Sequence, residues 1–119
     1  MNKNCTVYKT MDFVGKKWTV LILLEIFKSK DNTKRYSEIK NSIPEITPKV
    51  LSTRLKELEE KEMITKSIDT KEFPISCEYS LTDQGEDFLK IVQKIKEWTL
   101  KWNIKNPHCE SEKCKDCKF

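Results

Sequence analysis

Apolar residues recur at two spacings along this chain, and the switch between them marks its elements. Val7, Met11 and Val14 fall at i, i+4 and i+7, which predicts a short helix capped by Asn4 and closed at Gly15. Residues 17–29 read as a second helix, rich enough in Leu and Ile to form the centre of the core. The turn "DNTKR" leads to a short strand at residues 34–36. Ser37 is then placed to cap a third short helix, which Pro44 stops. Thr47 as N-cap and Pro48 as first helical residue open a fourth helix, with Leu51, Leu55 and Leu58 on one face.

Beyond this helix the period falls to two. "MITKSID" and "ISCEYSL", separated by a turn that contains a proline, predict a two-stranded hairpin. In the second run Ile75, Cys77, Tyr79 and Leu81 share one face, and Ser76, Glu78 and Ser80 share the other. Thr82 and Asp83 then start a long helix expected to reach Asn106, with Pro107 ending it. Phe88, Ile91, Val92, Ile95, Trp98 and Trp102 make an apolar stripe along it. At 1.5 Å per residue such a helix is roughly 34 Å long. That exceeds what so small a domain covers, so the stripe, together with Val7 and Met11, predicts a homodimer.

These elements define a mainly α fold with a small β-hairpin (α+β). It is a winged helix-turn-helix with a long C-terminal dimerisation helix, since a short helix, a tight turn and a longer helix are followed by a hairpin in the place of a wing. The expected organisation is one domain at residues 1–106 and a Cys-rich tail at 107–119.

Charge sharpens the picture. The net charge is only +4, but residues 28–56 carry eight basic residues against three acidic ones, an excess of +5. The fourth helix is polarised: Thr47, Lys49, Ser52, Thr53, Arg54 and Lys56 lie toward its front and Glu57, Glu59 and Glu60 at its back. Glutamates at a helix C-terminus oppose the macrodipole, so helix stability alone does not explain this order. A front facing a polyanion does. Helix-turn-helix docking points the N-terminal residues of this helix at base edges in the major groove. Thr47, Lys49, Ser52 and Thr53 suit that task, Arg54 and Lys56 suit phosphates, and Lys34, Arg35 and Lys71 are further basic candidates. Arg54 also lies beside the Leu face, where it can instead brace the fold through a carboxylate. Solvated surface lysines, or a winged-helix protein-interaction module, are the competing readings.

Other classes fall away. Gly15 and Gly85 are the only glycines, so no Gly-rich phosphate loop exists, and the single His108 forms no catalytic set with Ser and Asp. An enzyme is not expected. No apolar run has the length of a membrane span and no secretory core precedes the first helix, which predicts a cytoplasmic protein.

Three stretches carry a family resemblance. "CTVYKTMDFVGKKWT" at 5–19, "RYSEI" with "IPEITPKVLSTRLKELE" at 35–59, and "EYSLTDQG" at 78–85 are similar to the HxlR-type transcriptional regulators, relatives of the MarR group. The resemblance spans residues 5 to 105. It implies double-stranded DNA with a roughly palindromic operator as partner, a homodimer, repression, and a thiol sensor at Cys5. The chain departs from that pattern in having Thr6 after Cys5 and "ISC" in the wing, and its tail lies outside it.

Cys5 sits early in its helix with Lys3 and Lys9 nearby, a setting that favours a reactive thiolate, although a small residue packed at an interface reads the same way. Cys77 faces inward on its strand and reads as core. In the tail, His108, Cys109, Cys114 and Cys117 include one C-x-x-C pair. Zinc or another thiolate-bound metal, a reversible disulfide, and an inert tail all fit that spacing. A thiol oxidoreductase does not, for want of a βαβ context.

Overall fold

The computed structural model describes residues 1–71, 73, 75–102 and 107–118. In chain order the elements are α1 (Thr6–Val14), α2 (Thr19–Lys28), β1 (Thr33–Arg35), α3 (Tyr36–Ser42), α4 (Pro48–Glu60), β2 (Ile64–Asp69), β3 (Ser76–Leu81), α5 (Asp83–Trp102) and α6 (Pro107–Ser111). Single 3-10 turns occupy Lys30–Asn32 and Cys114–Asp116.

Helix α2 runs through the middle, with Ile22, Leu23 and Ile26 fully buried. Ile39 of α3 and Leu51, Leu55 and Leu58 of α4 close over it. Burying each such side chain stabilises the fold by about 1.5–3 kcal/mol. Helix α4 starts where its residues dictate: Thr47 Oγ1 accepts the Val50 N–H at 3.2 Å, and Pro48 takes the first helical position. It stops at a left-handed Glu62 (φ 61°), after which the Met63 N–H returns to Leu58 O at 3.0 Å.

The hairpin is part of a three-stranded antiparallel sheet in the order β1-β3-β2. Thr33 pairs with Ser80 and Arg35 with Glu78 on one side of β3, and Ile64 pairs with Leu81 and Asp69 with Ser76 on the other. Strand β3 is therefore central. Its β1 partner lies more than forty residues earlier in the chain, a pairing that periodicity within each run does not reveal. Ile75 precedes β3 and is exposed, because the ladder begins at Ser76.

Several boundaries differ from expectation. Helix α1 is capped at Cys5 in place of Asn4. The sheet pairing fixes β1 one residue earlier than expected and hands the chain straight into α3 at Tyr36. Ser37 is thus inside that helix, and the Arg35 N–H donates to Glu38 Oε1 at 3.3 Å. Helix α2 begins only at Thr19, after Trp18 in a left-handed conformation (φ 83°). The expected final turn of α5 up to Asn106 lies outside the described residues, and Pro107 opens α6.

A junction joins the hairpin root to α5. The Thr82 N–H donates to Met63 O at 3.1 Å, and Thr82 Oγ1 donates to Glu62 O at 2.6 Å. The same hydroxyl accepts the Gly85 N–H at 3.1 Å. A Cβ on Gly85 would stand 2.3 Å from Met63 O, so only glycine allows this approach. The tail folds back onto α2 and α5: Lys96 Nζ donates to Glu112 O at 2.8 Å, and Lys115 Nζ donates to Ser29 O at 3.0 Å, to Asn32 Oδ1 at 2.6 Å and to Phe27 O.

Candidate nucleic-acid interface

Helix α4 turns its leucines inward, which leaves Thr47, Lys49, Ser52, Thr53 and Lys56 exposed on the opposite side. The angle of the helix is held from α3. Ile39, Ile43 and Ile46 are buried, and the Ile46 N–H returns to Ile43 O at 3.1 Å through the turn. Tyr36 adds a polar brace: its hydroxyl lies 3.3 Å from both Pro48 O and Ser52 Oγ. Thr53 Oγ1 donates to Lys49 O at 2.9 Å, leaving oxygen lone pairs and a methyl group toward solvent. Hydroxyls, methyls and one ammonium at the front of an exposed helix match the hydrogen-bonding edges of base pairs.

The other basic candidates divide. Arg54 is half-buried, with Nε donating to Lys17 O at 3.2 Å and Nη1 to Glu57 Oε1 at 2.9 Å. Glu57 also receives Lys16 Nζ at 2.9 Å. The Lys16 hydrogen bond holds the Glu57 carboxyl below its ordinary range; burial opposes this, and the charges of Lys16 and Arg54 add to it. Lys34 reaches inward to Glu25 Oε2 at 3.2 Å and Ser42 Oγ at 2.7 Å. Glu25 also faces Lys28 at 3.5 Å. Arg35 is exposed, 3.7 Å from Glu78 Oε1, and Lys71 is exposed at the wing. Sequence reasoning passed over Tyr36 and Phe73. Phe73 is 99% exposed at the wing tip and, with Ile75, lines a cleft of about 380 Å³ beside Arg35 and Tyr36. Its place in the turn between two strands was the available signal.

The apolar stripe of α5 also divides. Phe88 and Val92 pack against the core, while Ile91, Ile95, Trp98 and Trp102 stay more than half exposed, as do Val7 and Met11 of α1. Thr10 and Val14 of α1 share a cleft of about 350 Å³ with Phe88 and Ile91, so the two open faces adjoin. Cys5 is half-buried at the N-cap, ahead of the first turn where the sequence suggested it, and its carbonyl accepts the Lys9 N–H at 3.0 Å. Cys77 is half-buried against the core. Cys117 Sγ lies 3.4 Å from His108 Nε2, and among the described residues no three His, Cys, Asp or Glu side chains stand together as ion ligands. Also among them, no helix is long and apolar enough to cross a membrane.

A short helix anchored by the buried Ile39, a recognition helix with an exposed polar face and a sheet-borne wing define a winged helix-turn-helix DNA-binding protein. Its relatives place it further. The HxlR-like helix-turn-helix profile matches residues 13–107, and the chain belongs to that family of transcriptional regulators. It is 36% identical over 94 residues to the HTH-type transcriptional regulator YvaP of Bacillus subtilis (strain 168), covering 79% of this chain and 83% of YvaP. A crystal structure from Porphyromonas gingivalis W83, described as a MarR-family transcriptional regulator, superposes with a TM-score of 0.74. It is 36% identical, with 87% of this chain and 97% of that one covered. The reduced form of YodB from B. subtilis superposes with a TM-score of 0.72 at 29% identity, over 86% of this chain and 97% of that one. YodB has also been solved diamide-treated and quinone-bound. Membership in a family of transcriptional regulators sets the chain apart from enzymes.

Proposed function

We propose that this regulator binds a roughly palindromic operator as a homodimer, represses by occupying it, and releases it when Cys5 is modified. One observation carries the DNA reading: the exposed face of α4 presents Lys49, Ser52, Thr53 and Lys56, while the nearby Arg54 is turned to the fold by Glu57. No large apolar side chain is exposed on α4 among the described residues, which disfavours a protein-docking face. Lys49 and Thr53 read bases, Ser52 is aimed by Tyr36, and Lys56 meets phosphate. The wing lies alongside, with Phe73 and Lys71 directed to the minor groove.

The open faces of α1 and α5 supply the dimer contact, and two-fold symmetry then sets two half-sites about one helical turn apart. Cys5 caps α1 at the positive end of its dipole, within that contact region, so a bulky or oxidised sulfur there alters the spacing of the recognition helices. Support for a redox reading of Cys5 comes from relatives: YodB has been solved reduced, diamide-treated and quinone-bound, and HypR, 32% identical with a TM-score of 0.67, is described as a redox regulator in its oxidised form.

The test is a Lys49→Ala, Thr53→Ala double variant in a mobility-shift assay against sites selected from random duplexes. Sequence preference is expected to vanish while the thermal transition is retained. Unchanged operator affinity would refute the assignment. Wild-type affinity should also fall steeply with salt, because each phosphate contact releases counterions.

A further inference from the structure

The family match ends at residue 107, and the tail beyond it carries chemistry that the DNA-binding domain does not use. Three cysteines and the only histidine fall within ten residues there. Cys117 Sγ and His108 Nε2 are 3.4 Å apart, within hydrogen-bond range for sulfur. Cys114 and Cys117 are the ends of one 3-10 turn, closed by the Cys117 N–H on Cys114 O at 3.2 Å. Ends of such a turn lie closer than about 7 Å between Cα atoms, a spacing that a disulfide can span.

We propose that this turn is a second thiol site, in which Cys117 reacts with a peroxide, His108 carries the proton, and Cys114 closes a disulfide. The thiol proton passes to His108 Nε2 as the sulfur attacks one peroxide oxygen. The O–O bond breaks, and the departing oxygen takes the proton and leaves as water. Cys117 is then a sulfenic acid. The Cys114 sulfur displaces its hydroxyl as a second water, so two thiols and one hydrogen peroxide give one disulfide and two waters.

Closure is mechanically consequential. Cys114 faces a cleft of about 630 Å³ with Leu24, Phe27 and Leu89, whereas Cys117 faces His108, so bridging them rebuilds the turn. Lys115 sits between the two cysteines. Its ammonium binds Phe27 O, Ser29 O and Asn32 Oδ1 at the end of α2, where a cation also suits the helix dipole, and it lies 5.0 Å from the Phe27 ring. The oxidised tail gives up this hold and comes away from α2 and α5. The site is independent of Cys5 and of the DNA reading.

The experiment uses the full chain with Cys5→Ser, treated with hydrogen peroxide and followed by intact mass, peptide mapping and tryptic susceptibility of the tail. A Cys114–Cys117 disulfide is expected, with faster tail cleavage that a reductant reverses. His108→Gln should slow the reaction about tenfold or more. Cys114→Ser should stall at a sulfenic acid on Cys117 that dimedone traps. The proposal is overturned if His108→Gln reacts at the parent rate or if the disulfide joins other cysteines. It is likewise overturned if a mercurial reagent releases an equivalent of zinc from fresh protein, which would make the tail thiols metal ligands.

Discussion

Arg54 and Glu57 stand one turn apart on α4 with Nη1 2.9 Å from Oε1, and this pair secures the back of the recognition helix to the α1–α2 connection. Lys16 joins from that connection, and Arg54 Nε reaches Lys17 O. The folded carboxyl is more acidic than an ordinary one, so its contribution is complete above the ordinary carboxylate range and is lost as pH falls through the folded value. Glu57→Gln should cost about 0.5–1 kcal/mol at neutral pH, given that the pair is partly exposed. The variant's stability should also fall less steeply than wild type between about pH 5 and 3. Urea titrations across that range check both.

The open side chains Ile95 and Trp98 allow a test of the proposed homodimer. Ile95→Glu with Trp98→Glu should weaken self-association about 100-fold or more, since charge is forced into an apolar contact. Sedimentation equilibrium reads this. Circular dichroism should be unchanged, because both residues are more than half exposed in the protomer. A variant that stays dimeric places the contact elsewhere.

For Cys5 the expected outcome concerns response and leaves affinity alone. Cys5→Ser should bind its operator like wild type but stay bound after diamide, whereas wild type dissociates. A mobility-shift titration with and without diamide decides it. Release by the variant would locate the sensor at another thiol.

At the wing, Phe73→Ala should lower operator affinity about tenfold while leaving the salt slope unchanged, as expected for loss of an apolar minor-groove contact. Lys71→Ala should lower the log–log salt slope by about one while preserving sequence preference. Fluorescence anisotropy over a salt series separates the two effects.

Much of the fold was legible because its signals are local. Thr47 and Pro48 placed the start of α4, three leucines its buried face, and the proline between two alternating runs the hairpin. What stayed hidden depends on partners distant in the chain. Thr33 meets Ser80 across the sheet with 2.7 Å between hydroxyl oxygens, so β1 joins β3, and no window of adjacent residues carries that. Lys34 looked like a nucleic-acid contact from charge alone, yet it faces Glu25. For Arg54 the sequence left open a brace through a carboxylate, and Glu57 is that carboxylate, but its second cation comes from a residue 41 positions earlier. The exposed front of α4 was readable from helical phase. The Tyr36 brace and the docking of the tail by Lys115 were not, since both need the folded geometry.

The tight seat of Gly85 on Met63 has a mechanical corollary. With Thr82 bonded to both Glu62 and Met63, the root of the wing and the first turn of α5 form one welded elbow. A pivot of the long helix at its far end is transmitted as leverage to the wing without slack. In a pair of protomers joined along α5, a small twist at that seam would therefore change the reach of both wings at once.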